Sequence, residues 1–293
     1  MSIKVALVGA SGNVGPAVLE QLLIAGFDVT VLTRQGSDHT FDPRAHVAKV
    51  DYGSLDSIKN ALTGQEVVVS TLNAGAVPLA IHLRIIDAAV AAGVKRFVPS
   101  EFGSNTVNPR TAKLPVFGDK INVQEHLKKA SQDSGLSYSL LITGPFLDWG
   151  VKNGFILNLS GPVVPLYDGG ERPFSSTTLS GVGKGVVGII NNLDATKNTA
   201  VYIDEARVSQ KELLRLSGKA TGTEIVATAD LEKEGFEELK KPSPNPAIIA
   251  TRFIWRAIFG EGFGSLNDPQ DVSNDLFGLK PLSEEELRGL FAK

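Results

Sequence analysis

The stretch that most constrains this chain is residues 9–15, "GASGNVG", set between "KVALV" and "PAVLEQLLIAG". The short apolar run before it reads as a strand buried on both faces. The apolar residues after it recur at helical spacing and stop at Gly26. A tight turn between strand and helix uses glycine where the backbone needs positive φ or where something approaches it closely. The first amides of the helix, near Asn13 and Val14, have no partner within the helix, and its dipole favours an anion there. A pyrophosphate suits that position, with Ser11 beside it. Gly9 then permits the turn, Gly12 the close approach of phosphate, and Gly15 tight packing of helix on strand.

The alternation continues. "DVTVLTR", "HVAKVD", "EVVVST", "KRFVPS" and "SYSLLIT" read as strands, with helices in "SLDSIKNAL", "PLAIHLRIIDAAVAAG" and "VFGDKINVQEHLKKASQDSG" between them. Strands that alternate with helices predict an α/β fold, a doubly wound parallel sheet of Rossmann type with right-handed crossovers. After Pro145 the rhythm changes and Gly, Pro and polar turns become frequent. "TLSGVGKGVVGIINN" still reads as a helix and "NTAVYID" as a late strand that rejoins the sheet. The expected division is a nucleotide-binding domain over 1–150, rejoined by a segment near 174–206, and a smaller C-terminal substrate-binding lobe over 151–293.

At 293 residues the chain is long enough for both. A net charge of −3 argues against nucleic acid and anionic membranes as partners. The absence of cysteine removes disulfides, thiolate nucleophiles and Cys-type zinc sites. His39, His46, His82 and His126 are scattered without ligand spacing, so no metal is expected. The first strand begins at Ile3 with no signal-like segment before it, and the longest apolar run, "AIIATRFIWRAIF", is interrupted by Arg252 and Arg256. The expectation is a cytoplasmic protein without membrane contact, with a homodimer allowed.

The choice between NAD and NADP falls at the end of the second strand. An acidic residue there would accept from a ribose 2′-hydroxyl. This strand ends in Arg34, whose planar fork suits a 2′-phosphate, with Gln35 and Ser37 able to add hydrogen bonds. The cofactor expected is therefore NADP(H). Asp51, at the end of the third strand, either reaches the adenine amino group or caps the following turn. Ligands in such sheets lie outside the carboxyl ends of the strands. That rule selects 70–75, 99–103 and 143–146, and with them Thr71, Leu72, Asn73, Ser100, Glu101, Phe102, Gly144, Pro145 and Phe146 as cofactor contacts.

The Gly-x-x-Gly-x-x-Gly spacing resembles that of extended and atypical short-chain dehydrogenases. Their usual Tyr-x-x-x-Lys pair is absent, because Asp56, Ile142, Glu171 and Ala206 stand four residues after Tyr52, Tyr138, Tyr167 and Tyr202. "VKRFVPSEFG" followed by "PVFGDKINVQEHLKKA" resembles the isoflavone-reductase-like family of the NmrA-like atypical short-chain group. That family includes phenylcoumaran benzylic ether and pinoresinol–lariciresinol reductases. "VVVSTLNAG", "DGGERPF" and the late "AVYID" fall in the same order. The resemblance implies that Lys120 sits beside the nicotinamide as the catalytic residue. It also implies an arginine four residues on, where this chain has Gln124.

A buried lysine can fall far enough in pKa to serve as a base. A neutral Lys120 would take a phenolic or enolic proton from substrate, and a protonated one would bind a carbonyl oxygen. Glu101 either orients the nicotinamide amide or braces its loop, and Phe102 and Phe146 either face the nicotinamide or belong to the core. Substrate walls are expected from 147–155, 166–174 and 253–259, whose aromatic residues suit an aromatic or apolar small molecule. Two readings stand. One is an NADPH-dependent reductase of an aromatic or conjugated enone, quinone methide or carbonyl compound. The other is a non-catalytic NADP(H)-binding sensor or regulator.

Overall fold

A computed structural model of the chain describes residues 2–292. Its centre is a parallel sheet built as the alternation predicts. The chain runs β1 (Lys4–Val8), α1 (Gly15–Ile24), β2 (Asp28–Arg34), β3 (His46–Val50), α2 (Leu55–Leu62), β4 (Val67–Ser70), α3 (Leu79–Ala91) and β5 (Arg96–Val98). It continues through α4 (Gly118–Asp133), β6 (Ser137–Ile142), α5 (Leu147–Lys152), β7 (Val163–Tyr167), β8 (Phe174–Ser176), α6 (Leu179–Asn191) and β9 (Thr199–Tyr202). The strand order is β3-β2-β1-β4-β5-β6-β9. The late strand read in "NTAVYID" is thus β9, paired parallel to β6.

The two faces of β1 show why helices cover both sides. Val5 and Leu7 pack with Val18 and Leu22 of α1 and with Val182, Val186 and Ile189 of α6. Ala6 and Val8 pack with Ile58 of α2, Ile85 of α3 and Leu127 of α4. Period-2 alternation of side chains across the pleat makes this division automatic once both faces are apolar. Helix α6 approaches α1 closely because it presents Gly183, where a Cβ would lie 2.7 Å from the Ala17 carbonyl oxygen.

The remaining chain forms β10 (Ala206–Val208), α7 (Gln210–Ser217), β11 (Gly222–Val226), α8 (Thr228–Leu239), α9 (Pro246–Phe259), α10 (Asn274–Phe277) and α11 (Glu284–Gly289). Strand β10 pairs antiparallel with β8, and β11 pairs parallel with β7. A separate apolar cluster unites these elements through Ile156, Leu166, Phe174, Val208, Leu213 and Ile258. Among the described residues no helix is long and apolar enough to cross a membrane.

Candidate active site

The register of the sheet places the site. Val8 pairs with Leu32 on one side and with Ser70 on the other, so Gly9 and Thr71 leave the sheet side by side, next to Thr33 near the end of β2. Between β1 and β4 the strand order reverses direction, the point where such sheets open a crevice. A cleft of about 700 Å³ lies there.

Its floor is the glycine turn. Gly9 has φ +87°, and a Cβ on it would lie 2.9 Å from both the carbonyl carbon and Oγ1 of Thr71. The Thr71 hydroxyl donates to the Val8 carbonyl at 2.9 Å, fixing this second loop under the first. Gly12 closes the turn by donating its N–H to the Gly9 carbonyl at 3.0 Å. A Cβ on Gly15 would stand 2.3 Å from that same carbonyl, so Gly15 is required by the fold itself. Gly12 differs. A Cβ there would meet nothing closer than 3.4 Å. Nothing in the chain forbids a side chain at Gly12, yet one would fill the space above the turn. No side chain caps α1, and its first turn holds no acidic residue. These free amides and the open face of Gly12 fit a pyrophosphate.

From the turn the cleft extends in both directions across the strand ends. On the β2 side it is lined by Thr33, Arg34, Ser37, His39, Phe41 and Tyr52. Arg34 is exposed, and among the described residues no carboxylate lies within ion-pair distance of it, so its donors are free for a ligand. On the other side lie Thr71, Leu72, Asn73, Ser100, Phe102, Lys120 and Phe146. Ser11, Asn13 and Val14 complete the middle. The lining contains Arg34 and Lys120 but no Asp or Glu. That charge balance fits a dinucleotide with an additional 2′-phosphate.

Lys120 lies in the first turn of α4, half-buried, and its ammonium donates to the backbone carbonyl of Glu101. Burial pushes its pKa below the usual lysine range, while the Glu101 charge pulls the other way. The positive end of the α4 dipole acts in the same direction as burial. The Glu101 carboxylate itself is fully engaged elsewhere. It accepts from Thr106 Oγ1 at 2.6 Å and from Gln124 Nε2 at 3.1 Å, and Gln124 also donates to Thr106 at 2.9 Å. Glu101 is 1% exposed. Of its two open roles, the geometry matches loop bracing, with Gln124 as the partner.

Four residues expected at the cofactor do not line the cleft. Gly15 and Glu101 have been described. Gly144 and Pro145 instead join the end of β6 to β8: the Pro145 carbonyl accepts from Ser176 Oγ at 2.6 Å, and a Cβ on Gly144 would overlap the Ser175 carbonyl. Asp51 accepts from the Gly53 N–H at 2.8 Å and so caps its turn. None of the residues of 147–155, 166–174 and 253–259, expected as substrate walls, lines the cleft. Their aromatic rings stack on one another, with Tyr167 between Trp255 and Phe259 at 5.1 and 4.9 Å. Trp255 Nε1 donates to the Phe155 carbonyl at 2.9 Å. Pairing aromatic surfaces with each other satisfies them without a ligand. The cleft is also lined by Ala74, in the segment 70–75 selected from the sequence, and by Ala76, Val77 and Ile81 just beyond it, which that selection missed. Their signal was available, because they follow that segment directly.

Comparison with known proteins agrees with this architecture. The chain is 33% identical to the oxidoreductase aprR of Aspergillus flavus over 296 residues, 98% of each chain. It is 26% identical to a bifunctional pinoresinol-lariciresinol reductase of Linum perenne, over 76% of each. The solved structure of AtPrR2 with NADP+ and (+)pinoresinol shares the fold, with TM-score 0.81 at 20% identity over 100% of this chain and 99% of that one. With the NmrA-like family model matching residues 1–262, the chain belongs to the NmrA-like family.

Proposed function

We propose that the chain is an NADPH-dependent reductase that delivers hydride to a small aromatic or conjugated substrate, an enone, quinone methide or carbonyl compound. One observation carries the reading: a single carboxylate-free cleft runs from Arg34, past the uncapped start of α1, to Lys120. Arg34 would hold the 2′-phosphate, the amides at Asn13 and Val14 the pyrophosphate over the open face of Gly12, and Ser100, Phe102 and Phe146 the nicotinamide end. Bound there, the dinucleotide supplies the hydride, which this chain's side chains cannot.

The chain's own part is the proton. Lys120 in its neutral form takes the proton of a phenolic or enolic hydroxyl, and in its charged form gives one to a carbonyl oxygen. Ala74, Val77, Ile81, Phe102 and Phe146 exclude water on that side and favour an apolar substrate. The relatives support the chemistry, since aprR is described as an oxidoreductase and the Linum perenne protein as a reductase.

The test is incubation with NADPH and a panel of aromatic enones, quinone methides and phenolic ethers, following the loss of nicotinamide absorbance. Turnover with at least one member, faster with NADPH than with NADH, is the expected result. No turnover with any member, together with tight and redox-selective dinucleotide binding, would replace the reductase with a sensor.

A further inference from the structure

Lys120 also borders a second and much smaller cavity of about 10 Å³. Its lining includes Ser70, His82, Phe97, Ser100, Glu101 and Lys120. Lys120, with Ala74 and Ser100, borders both this cavity and the cleft.

Two polar side chains of this cavity lack any hydrogen-bond partner, His82 Nε2 and Ser70 Oγ. They are 6% and 3% exposed, so bulk water does not serve them. A buried polar atom left unpaired costs about 1–3 kcal/mol, which makes two of them in one small space informative. The cavity has the volume of a single water, and its lining offers the polar partners that a buried water requires.

We propose that one water, held by His82 Nε2 and Ser70 Oγ, anchors the Lys120 amine, which makes His82 a positioning residue for the base. The proposal rests on the reductase reading, in which Lys120 handles the proton. The geometry explains what the anchor accomplishes. A neutral amine has two N–H groups and one lone pair. One N–H is taken by the Glu101 carbonyl. If the water accepts the second, the lone pair is left facing the cleft, where a substrate hydroxyl would lie. A neutral His82 ring that carries its proton on Nδ1 leaves Nε2 as the acceptor that the water needs. Burial holds His82 toward its neutral form and Asp119 opposes this. The carboxylate that borders the cavity, Glu101, is occupied by Thr106 and Gln124.

The test reads Lys120 directly and needs no substrate. The full chain is acetylated with acetic anhydride across a pH series, and the Lys120 labelling rate is followed by mass spectrometry. His82→Phe removes the acceptor and should lower the apparent Lys120 pKa by about one unit, the low end of a hydrogen bond to a charged group. His82→Gln keeps an acceptor and should restore the wild-type profile. Ser70→Ala changes little volume and should shift the profile in the same direction as His82→Phe, which decides the matter if His82→Phe does not fold. Unchanged labelling in the folded His82→Phe and Ser70→Ala variants overturns the proposal. If the shift appears but no panel compound turns over, the anchor stands and the reductase reading falls.

Discussion

Lys120 is held by the backbone carbonyl of Glu101, while the carboxylate of that same residue turns away to Thr106 and Gln124. A carboxylate partner would stabilise the ammonium strongly and keep the lysine out of proton chemistry at ordinary pH. A carbonyl holds the amine in place, and the Glu101 charge, turned away, only partly offsets the lowering by burial. The closed hydrogen-bond triangle of Glu101, Thr106 and Gln124 keeps the two functions separate.

Replacement of Lys120 by alanine should therefore remove proton transfer and little else. A general acid or base contributes roughly 10²–10⁴ in rate, so turnover should fall by at least about 100-fold. Dinucleotide affinity, measured by fluorescence titration, should stay within about twofold, because the phosphate contacts lie along the glycine turn and Arg34. Unchanged turnover would remove Lys120 from the mechanism.

The pH dependence has a definite sign. Burial lowers the Lys120 pKa from its ordinary 10.5, so the neutral amine is present at lower pH than for a free lysine. A reaction that needs the amine as base loses rate as pH falls through that lowered pKa and reaches a plateau above it. A kcat/KM profile should thus show an acid limb below 10.5, absent in Lys120→Ala. A limb that survives the substitution would assign the titration to another group.

Arg34 is the group that should tell the two dinucleotides apart. A hydrogen bond to a charged group contributes about 1.5–3 kcal/mol, so Arg34→Ala should weaken NADPH binding about 10-fold or more while leaving NADH nearly unchanged. The effect should shrink with added salt, since Arg34 is exposed. Equal losses for both dinucleotides would contradict the 2′-phosphate assignment.

The glycines separate fold from ligand. Gly15→Ala places a Cβ 2.3 Å from the Gly9 carbonyl oxygen and should destabilise the protein by about 1–3 kcal/mol, seen as a lower thermal midpoint. Gly12→Ala meets nothing closer than 3.4 Å and should fold with a midpoint near that of the wild type. Its cost should appear in dinucleotide binding instead, read by the same fluorescence titration.

The sheet was legible in the sequence because β1 and β4 are nearly continuous apolar runs and helical periods with their stops alternate with the strands. Strand β2 occupies the residues read for it, Asp28–Arg34. The small strands were not legible. β8 and β10 are three residues each and gain their partners only through pairing across the chain. β7 and β11 lie in turn-rich stretches, and β11 is largely exposed, which leaves no apolar pattern to read. In the site, the glycine turn, Arg34 and Lys120 line the cleft as their positions at strand and helix ends suggested. His39 and Phe41 were missed because the loop after β2 has no periodicity. The aromatic residues of α5, β7 and α9 pack against one another outside the cleft. Aromatic composition does not distinguish rings that meet a ligand from rings that meet each other. His82 was visible only as one of four scattered histidines, since its meaning depends on Ser70 and Lys120 bordering the same cavity.

The account stands on one spatial claim, that the dinucleotide cradle and Lys120 share a single cleft with the nicotinamide at the lysine end. The most direct measurement is a crystal structure of the protein with NADP+ and a reduced product. The account predicts pyrophosphate on the amides at Asn13 and Val14 against Gly12, the 2′-phosphate on Arg34, and the Lys120 Nζ within hydrogen-bonding reach of a product oxygen beside the nicotinamide ring. A nicotinamide ring bound away from Lys120, with the product contacting neither, would contradict it.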